Sequence, residues 1–231
     1  MRHSHSYKQS YQNNGRNLLL SIVLNIVITG AQIVGGIISG SLALLSDAIH
    51  NFSDVLSLII SYVANRLVYK RASYQRTFGY KRSEIIAAFV NSASLIIIAI
   101  MFIIEAVKRF QNPKEIESYL VIYLSLIAVC GNGFSVLLLQ TGSKDNINLR
   151  SVYLHLLTDM LASVAVLIGG VLMKYYRVFW IDSLLTLGIA IYLIIIGYKL
   201  LIRSLKMLML FTPRDISLSQ VVNDIQKIPQ I

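Results

Sequence analysis

Six apolar stretches of about 20 residues or more alternate with short polar breaks: Asn17–Ser39, Leu42–Ala64, Glu84–Val107, Tyr119–Gln140, Ser151–Met173 and Phe179–Ile202. At 1.5 Å rise per residue, about 20 helical residues cover the ~30 Å of hydrocarbon in a bilayer. The runs are continuous and rich in Leu and Ile, without the two-residue alternation of a membrane barrel. The pattern predicts an all-α integral membrane protein with six transmembrane helices. The first run is longer than a signal-peptide core, and no small-residue cleavage pattern follows it, so it counts as a span.

The breaks set the layout. Gly40-Ser41 closes a tight hairpin between the first two spans, and a long basic loop from Arg66 to Arg82 precedes the third. Asn112-Pro113-Lys114-Glu115 interrupts helix between spans three and four. Thr141–Arg150 and Lys174–Arg177 make the last two connections. After span six, Phe211-Thr212-Pro213-Arg214-Asp215 breaks the pattern. Asp215 or Ser217 then caps a short amphipathic helix whose stripe is Leu218, Val221, Val222 and Ile225. The expected organisation is a polar tail at residues 1–16, a six-helix domain at 17–205, and at 206–231 a linker with the truncated start of a cytoplasmic domain. Such a stub cannot bury a core of its own. His3 and His5 in the tail read as part of a disordered terminus rather than a metal trap.

Charge supports the membrane reading. Only 14% of residues are charged, against roughly a quarter in soluble domains. The net charge of +10 would suit nucleic acid, but its distribution does not. With a cytoplasmic N-terminus, only Lys108, Arg109, Lys114, Lys174 and Arg177 of the 21 basic residues face outward. That asymmetry obeys the positive-inside rule and puts both termini in the cytoplasm, with the Arg66–Arg82 loop near anionic lipid headgroups. No nucleic-acid partner is expected. Cys130 is the single cysteine, so no intrachain disulfide or thiolate cluster can form; a buried packing role is expected for it. Gly36 and Gly40, and Gly169 with Gly170, mark close helix contacts.

The chemistry lies in two matching segments, His50-Asn51-Phe52-Ser53-Asp54 and His155-Leu156-Leu157-Thr158-Asp159. Helical positions i and i+4 share a face, so each span aims an imidazole and a carboxylate the same way. His50 and Asp54 lie about 12 and 18 Å along the second span, and His155 and Asp159 roughly 6–15 Å into the fifth. Because the spans are antiparallel, the histidine of each meets the level of the other's aspartate. Two nitrogens and two oxygens in a tetrahedron suit Zn²⁺, with Cd²⁺, Co²⁺ and Fe²⁺ compatible with the same donors. Two carboxylates neutralise a divalent ion where solvation is poor. Imidazole binds metal only when unprotonated, so metal and protons compete, and alternate exposure of the site would exchange one for the other. Asp47, three residues before His50, is expected to sit behind the imidazole and orient it; a proton acceptor on the exit path and a solvated surface carboxylate are its other readings. Asn25, Gln32, Asn132 and Gln140 read as interhelical hydrogen-bond formers. Glu84, Glu105 and Asp182 read as span-end carboxylates met by water or snorkelling bases.

Three blocks carry a resemblance. Ser41-Leu42-Ala43-Leu44-Leu45-Ser46-Asp47-Ala48-Ile49-His50 with Asp54 resembles the second-span signature of the cation diffusion facilitators. His155 with Asp159 resembles that family's fifth-span half-site, and Phe78-Gly79-Tyr80-Lys81-Arg82-Ser83-Glu84 its approach to span three. The resemblance runs from Asn17 to Ile231. It implies a six-span, homodimeric exporter of zinc or related divalent ions at the cell membrane, driven by proton antiport, with His50, Asp54, His155 and Asp159 as ligands. The metal is the transported substrate and no cofactor is implied. Family members usually carry a complete cytoplasmic metal-binding domain, and some bind further metal through loop histidines; neither loop has a histidine here. A contact between Arg82 and Asp215 is a further implication. Against an enzyme, the chain has no His-Glu pair for a zinc protease and no Gly-x-Ser-x-Gly elbow. The remaining rival is a membrane protein that uses the same four side chains as a structural metal staple.

Overall fold

In a computed structural model the backbone is described for residues 4–68, 82–140, 147–211 and 217–227, and all regular structure among them is helical. The helices are α1 (Ser4–Ser39), α2 (Leu42–Val68), α3 (Ser83–Gln111), α4 (Ser118–Gln140), α5 (Ile147–Tyr176), α6 (Trp180–Leu208) and α7 (Leu218–Gln226). Five contain stretches long and apolar enough to cross a membrane: Leu20–Ser39, Ile85–Gln111, Ser118–Gln140, Val152–Tyr176 and Trp180–Leu208. α2 has 27 residues, and its first half buries Asp47, His50 and Asn51.

α1 corrects the expected tail, because helix begins at Ser4 rather than near Asn17. Nothing between them is a proline, and extending an existing helix through polar residues costs little once it is nucleated. The other expected helices begin or end within a few residues of expectation. His3, Tyr80, Asp215 and the Arg82–Asp215 contact lie outside the described residues. Ser217 is the residue at the N-cap of α7, and Val221, Val222 and Ile225 of its apolar stripe are exposed.

α2 is the hub of the assembly, touching α1, α3, α5 and α6; α3 pairs with α6, α4 with α5, and α1 with α4. Its neighbours bury two apolar clusters. Leu42 joins Leu95, Ala99, Phe102, Ala190 and Leu193 on the α3–α6 side. Ala43 and Leu44 join Val121, Val166 and Met173 on the α4–α5 side. Small residues permit the close approaches. A Cβ on Gly36 would sit 3.1 Å from Leu45 N and Cβ, and one on Gly170 would sit 3.1 Å from Ile122 Cγ1. Gly40 differs: its φ of +74° makes the α1–α2 turn and needs glycine for the backbone, not for a helix contact. Cys130 also departs from expectation, being exposed. The buried stripe of α4 runs through Val121, Ser125, Ala128, Asn132 and Ser135, and Cys130 falls on the opposite face.

Helix ends converge on two faces. The hairpin face carries Gly40-Ser41, the 112–117 loop and the α5–α6 turn. The terminal face carries the start of α1 and the end of α6. At the hairpin face Asp182 is only 1% exposed, not solvated as expected. Ser41 Oγ donates to its Oδ1 at 2.6 Å, and the amides of Leu42 and Ala43 donate to Oδ2 and Oδ1 at 2.8 and 3.3 Å. The first turn of α2 leaves amides without intrahelical partners, and the tight Gly40 turn delivers them to the α6 carboxylate. Arg109 adds a bond to Gly40 O at 2.6 Å and pairs with Glu105 at 3.1 Å.

Candidate metal centre

The i, i+4 spacing does locally what helix geometry requires: His50 Nδ1 lies 3.7 Å from Asp54 Oδ2 on α2, and His155 Nε2 lies 3.5 Å from Asp159 Oδ2 on α5. Packing of α2 on α5 supplies the cross pairs. His50 Nε2 is 3.6 Å from Asp159 Oδ1, and His155 Nε2 is 3.2 Å from Asp54 Oδ2. Each histidine therefore faces the aspartate of the other helix as well as its own. The two imidazoles stand edge to face with centroids 5.9 Å apart.

These separations suit a small cation. Tetrahedral bonds of about 2.0–2.1 Å place ligand atoms about 3.3–3.4 Å apart, and the pairs that use one nitrogen per histidine, His50 Nε2 with Asp159 and His155 Nε2 with Asp54 and Asp159, span 3.2–3.6 Å. Ligand atoms of His50, His155 and Asp159 all lie within 4.8 Å of one another. Asp54 reaches this trio through His155 on one side and the second nitrogen of His50 on the other.

Outside these pairs the buried polar atoms of the cluster have no hydrogen-bond partner among the described residues. Both nitrogens of His50, both oxygens of Asp159 and Asp54 Oδ2 are buried without a hydrogen-bond partner. Leaving one such group unsatisfied costs about 1–3 kcal/mol, more when it is charged, so five together are hard to explain as packing. A cation between the helices would engage one nitrogen of His50 together with carboxylate oxygens of Asp159 and Asp54. Burial is graded: the Asp159 side chain is 0% exposed and that of His50 6%, against 40% for His155 and 34% for Asp54. The more open pair borders a cavity of about 60 Å³ toward the terminal face. His50 and Asp159 border another of about 290 Å³, shared with Asp47, Gly188 and Tyr192.

The hydrogen bonds described for Asp47 go to residues other than His50. Its Oδ2 accepts from Gln32 Nε2 at 2.8 Å and from Ser163 Oγ at 3.1 Å, and Asn51 Nδ2 donates to Gln32 Oε1 at 3.4 Å. The carboxylate is 1% exposed, which also removes the solvated reading. It ties α1, α2 and α5 together just beside the cluster. Gln32 thus makes the interhelical bonds expected of it, whereas Asn25 Oδ1 and Asn132 Nδ2 are buried without a partner. Ser163 was legible in principle, four residues past Asp159 on the same helix face. Tyr192 was not: its ring lies 5.9 Å from that of His50, but one tyrosine among 13 in an apolar run carries no signal.

Comparison with known proteins places the chain in a family. The model of the cation efflux transmembrane domain matches residues 18–209. A cadmium, cobalt and zinc/H(+)-K(+) antiporter of Bacillus subtilis is 37% identical over 219 residues, covering 93% of this chain and 70% of the relative. The metal cation efflux system protein CzcD of Cupriavidus metallidurans is 32% identical, covering 99% of this chain and 72% of the relative. The zinc transporter ZitB of Escherichia coli is 30% identical, covering the whole chain and 75% of the relative. Match length and identity together leave one assignment: the chain belongs to the cation efflux, or cation diffusion facilitator, family of membrane transporters, and is not an enzyme.

Proposed function

We propose that the chain exports a divalent cation, Zn²⁺ foremost, from the cytoplasm in exchange for protons, with His50, Asp54, His155 and Asp159 as ligands of the moving ion. The observation that carries this reading is the convergence of four ligating side chains from two helices, their lone pairs otherwise unused. In this reading α2 is a sixth span: its polar first half is shielded by α1, α3, α5 and α6 instead of lipid. The terminal face is cytoplasmic, since the basic residues concentrate there. Residues 206–231 begin a cytoplasmic domain, and the chain works as a homodimer in the cell membrane, as the family resemblance suggests.

The mechanism follows from competition at one set of atoms. Cytoplasmic zinc binds neutral imidazoles and ionised carboxylates, and the loaded site has no net charge. Rearrangement of α2 and α5 against their neighbours opens the site to the outside, where protons take the nitrogens and carboxylates and release the ion. The protonated site returns. Named relatives support the ion class, and the Bacillus subtilis protein is named for exchange against H⁺ and K⁺. The test is zinc flux into proteoliposomes under an imposed pH gradient. Gradient-dependent flux abolished by Asp54→Ala supports transport; tight zinc binding without any flux would establish a structural staple instead.

A further inference from the structure

The smaller cavity is built on one side by a helix that supplies none of the four ligands. Ser21 and Asn25 of α1 face Asp54 of α2 and His155 of α5 across about 60 Å³, room for about two waters. The α1 wall is polar along its length. Ser21, Asn25, Thr29 and Gln32 recur at helical spacing on one face and are all nine-tenths or more buried. Gln32 is engaged at both ends of its amide by Asp47 and Asn51. Asn25 differs: its Oδ1 is buried and accepts no hydrogen bond. An amide oxygen is a neutral, hard donor, and here it lines the same space as a half-open carboxylate.

We infer that Asn25 Oδ1 and the Asp54 carboxylate form a loading subsite for a partly hydrated divalent cation, on the cytoplasmic side of the four-ligand centre. The inference rests on the transport reading above. A hydrated ion cannot meet two imidazoles and two carboxylates until water leaves. Two hard oxygens in a cavity with room for waters hold the ion while part of its shell remains. Asp54 belongs to both positions, bordering the cavity and lying 3.2 Å from His155 Nε2. It passes the ion inward without releasing it, and His155 and then His50 replace the remaining water.

The full chain in proteoliposomes, with zinc flux read against zinc concentration under a fixed pH gradient, tests this. Asn25→Leu should raise KM about tenfold, the size of one lost polar contact to a charge, while equilibrium zinc affinity in detergent stays within about twofold of wild type. Asn25→Asp should keep a low KM for zinc and add Mn²⁺ flux, because a further carboxylate oxygen favours harder ions. Unchanged KM in Asn25→Leu overturns the subsite, as does a matching loss of equilibrium affinity, which would make Asn25 a support of the inner centre. Should Asn25→Leu fail to fold, absence of Mn²⁺ flux in Asn25→Asp overturns it independently. A wild type without gradient-dependent flux refutes the transport reading itself, and a binding-competent, flux-active wild type separates the two failures.

Discussion

Asp159 and Asp182 are both carboxylates sealed from solvent, at 0% and 1% exposure, and they have opposite surroundings. Asp182 accepts from a hydroxyl and two amides at the start of α2. Asp159 has no hydrogen bond on either oxygen and two imidazoles at 3.5–3.6 Å. The first is a finished joint, in which donors of the fold replace water. The second has no donor of the fold on either oxygen and is, in the proposed function, an open coordination shell. Asp47 lies between them, one oxygen bonded to Gln32 and Ser163 and the other without a partner. Burial alone therefore does not separate a structural carboxylate from a working one; the occupancy of its lone pairs does.

The contrast is most sharply tested by removing each carboxylate in turn. Asp159→Asn should lower zinc flux at least about 100-fold, the upper end of what losing even an outer-shell partner of a ligand costs, while leaving the metal-free protein as stable as wild type or more so, because a buried charge without a hydrogen bond is gone. Loss of flux accompanied by unfolding would contradict that view. Asp182→Ala should do the reverse. It strips the cap of α2 and orphans buried amides, costing about 2–3 kcal/mol in detergent unfolding, while the folded fraction retains zinc affinity by titration calorimetry. If Asp182→Ala instead abolishes binding with stability intact, Asp182 belongs to the transport chemistry.

Protons sharpen the comparison from a second side. In the proposed function zinc and protons claim the same nitrogens, so each imidazole should weaken zinc binding about tenfold per pH unit below its titration range, and two should reach about 100-fold. The sign is a loss of affinity as pH falls, read by competition with a zinc indicator. A flat profile through the histidine range would show that the imidazoles do not bind the ion. Gly36→Val should produce the smallest change. Its side chain would press on the α2 backbone at Leu45, costing about 1–3 kcal/mol by thermal unfolding, with the remaining folded protein still binding zinc.

Much of this could be read along the chain because each signal is local. Apolar runs of sufficient length gave most helix positions, and the i, i+4 spacing placed each histidine beside its aspartate. Gly40-Ser41 announced the hairpin whose left-handed φ the fold requires. Beyond the tail, where helix extends further than expected, the differences are questions of neighbours. Asp182 looked like a span end met by water or a snorkelling base, but the amides that bury it come from residues about 140 positions earlier in the chain. Asp47 looked like the support of His50 because three residues on a helix share a face, yet its partners are on α1 and α5. Cys130 looked buried because it is apolar in an apolar run, and a helix in lipid exposes such residues freely.

What the sequence determines by itself is therefore periodic and one-dimensional: helices, their polarity, and two half-sites of matched chemistry. Only tertiary structure decides that the half-sites close on each other at 3.2 and 3.6 Å, which buried oxygens remain unfilled, and that α1 lays a polar wall beside them. The reason is physical. Backbone hydrogen bonding and hydrophobic length act within a segment, whereas the satisfaction of a buried polar atom depends on whichever helix is packed against it.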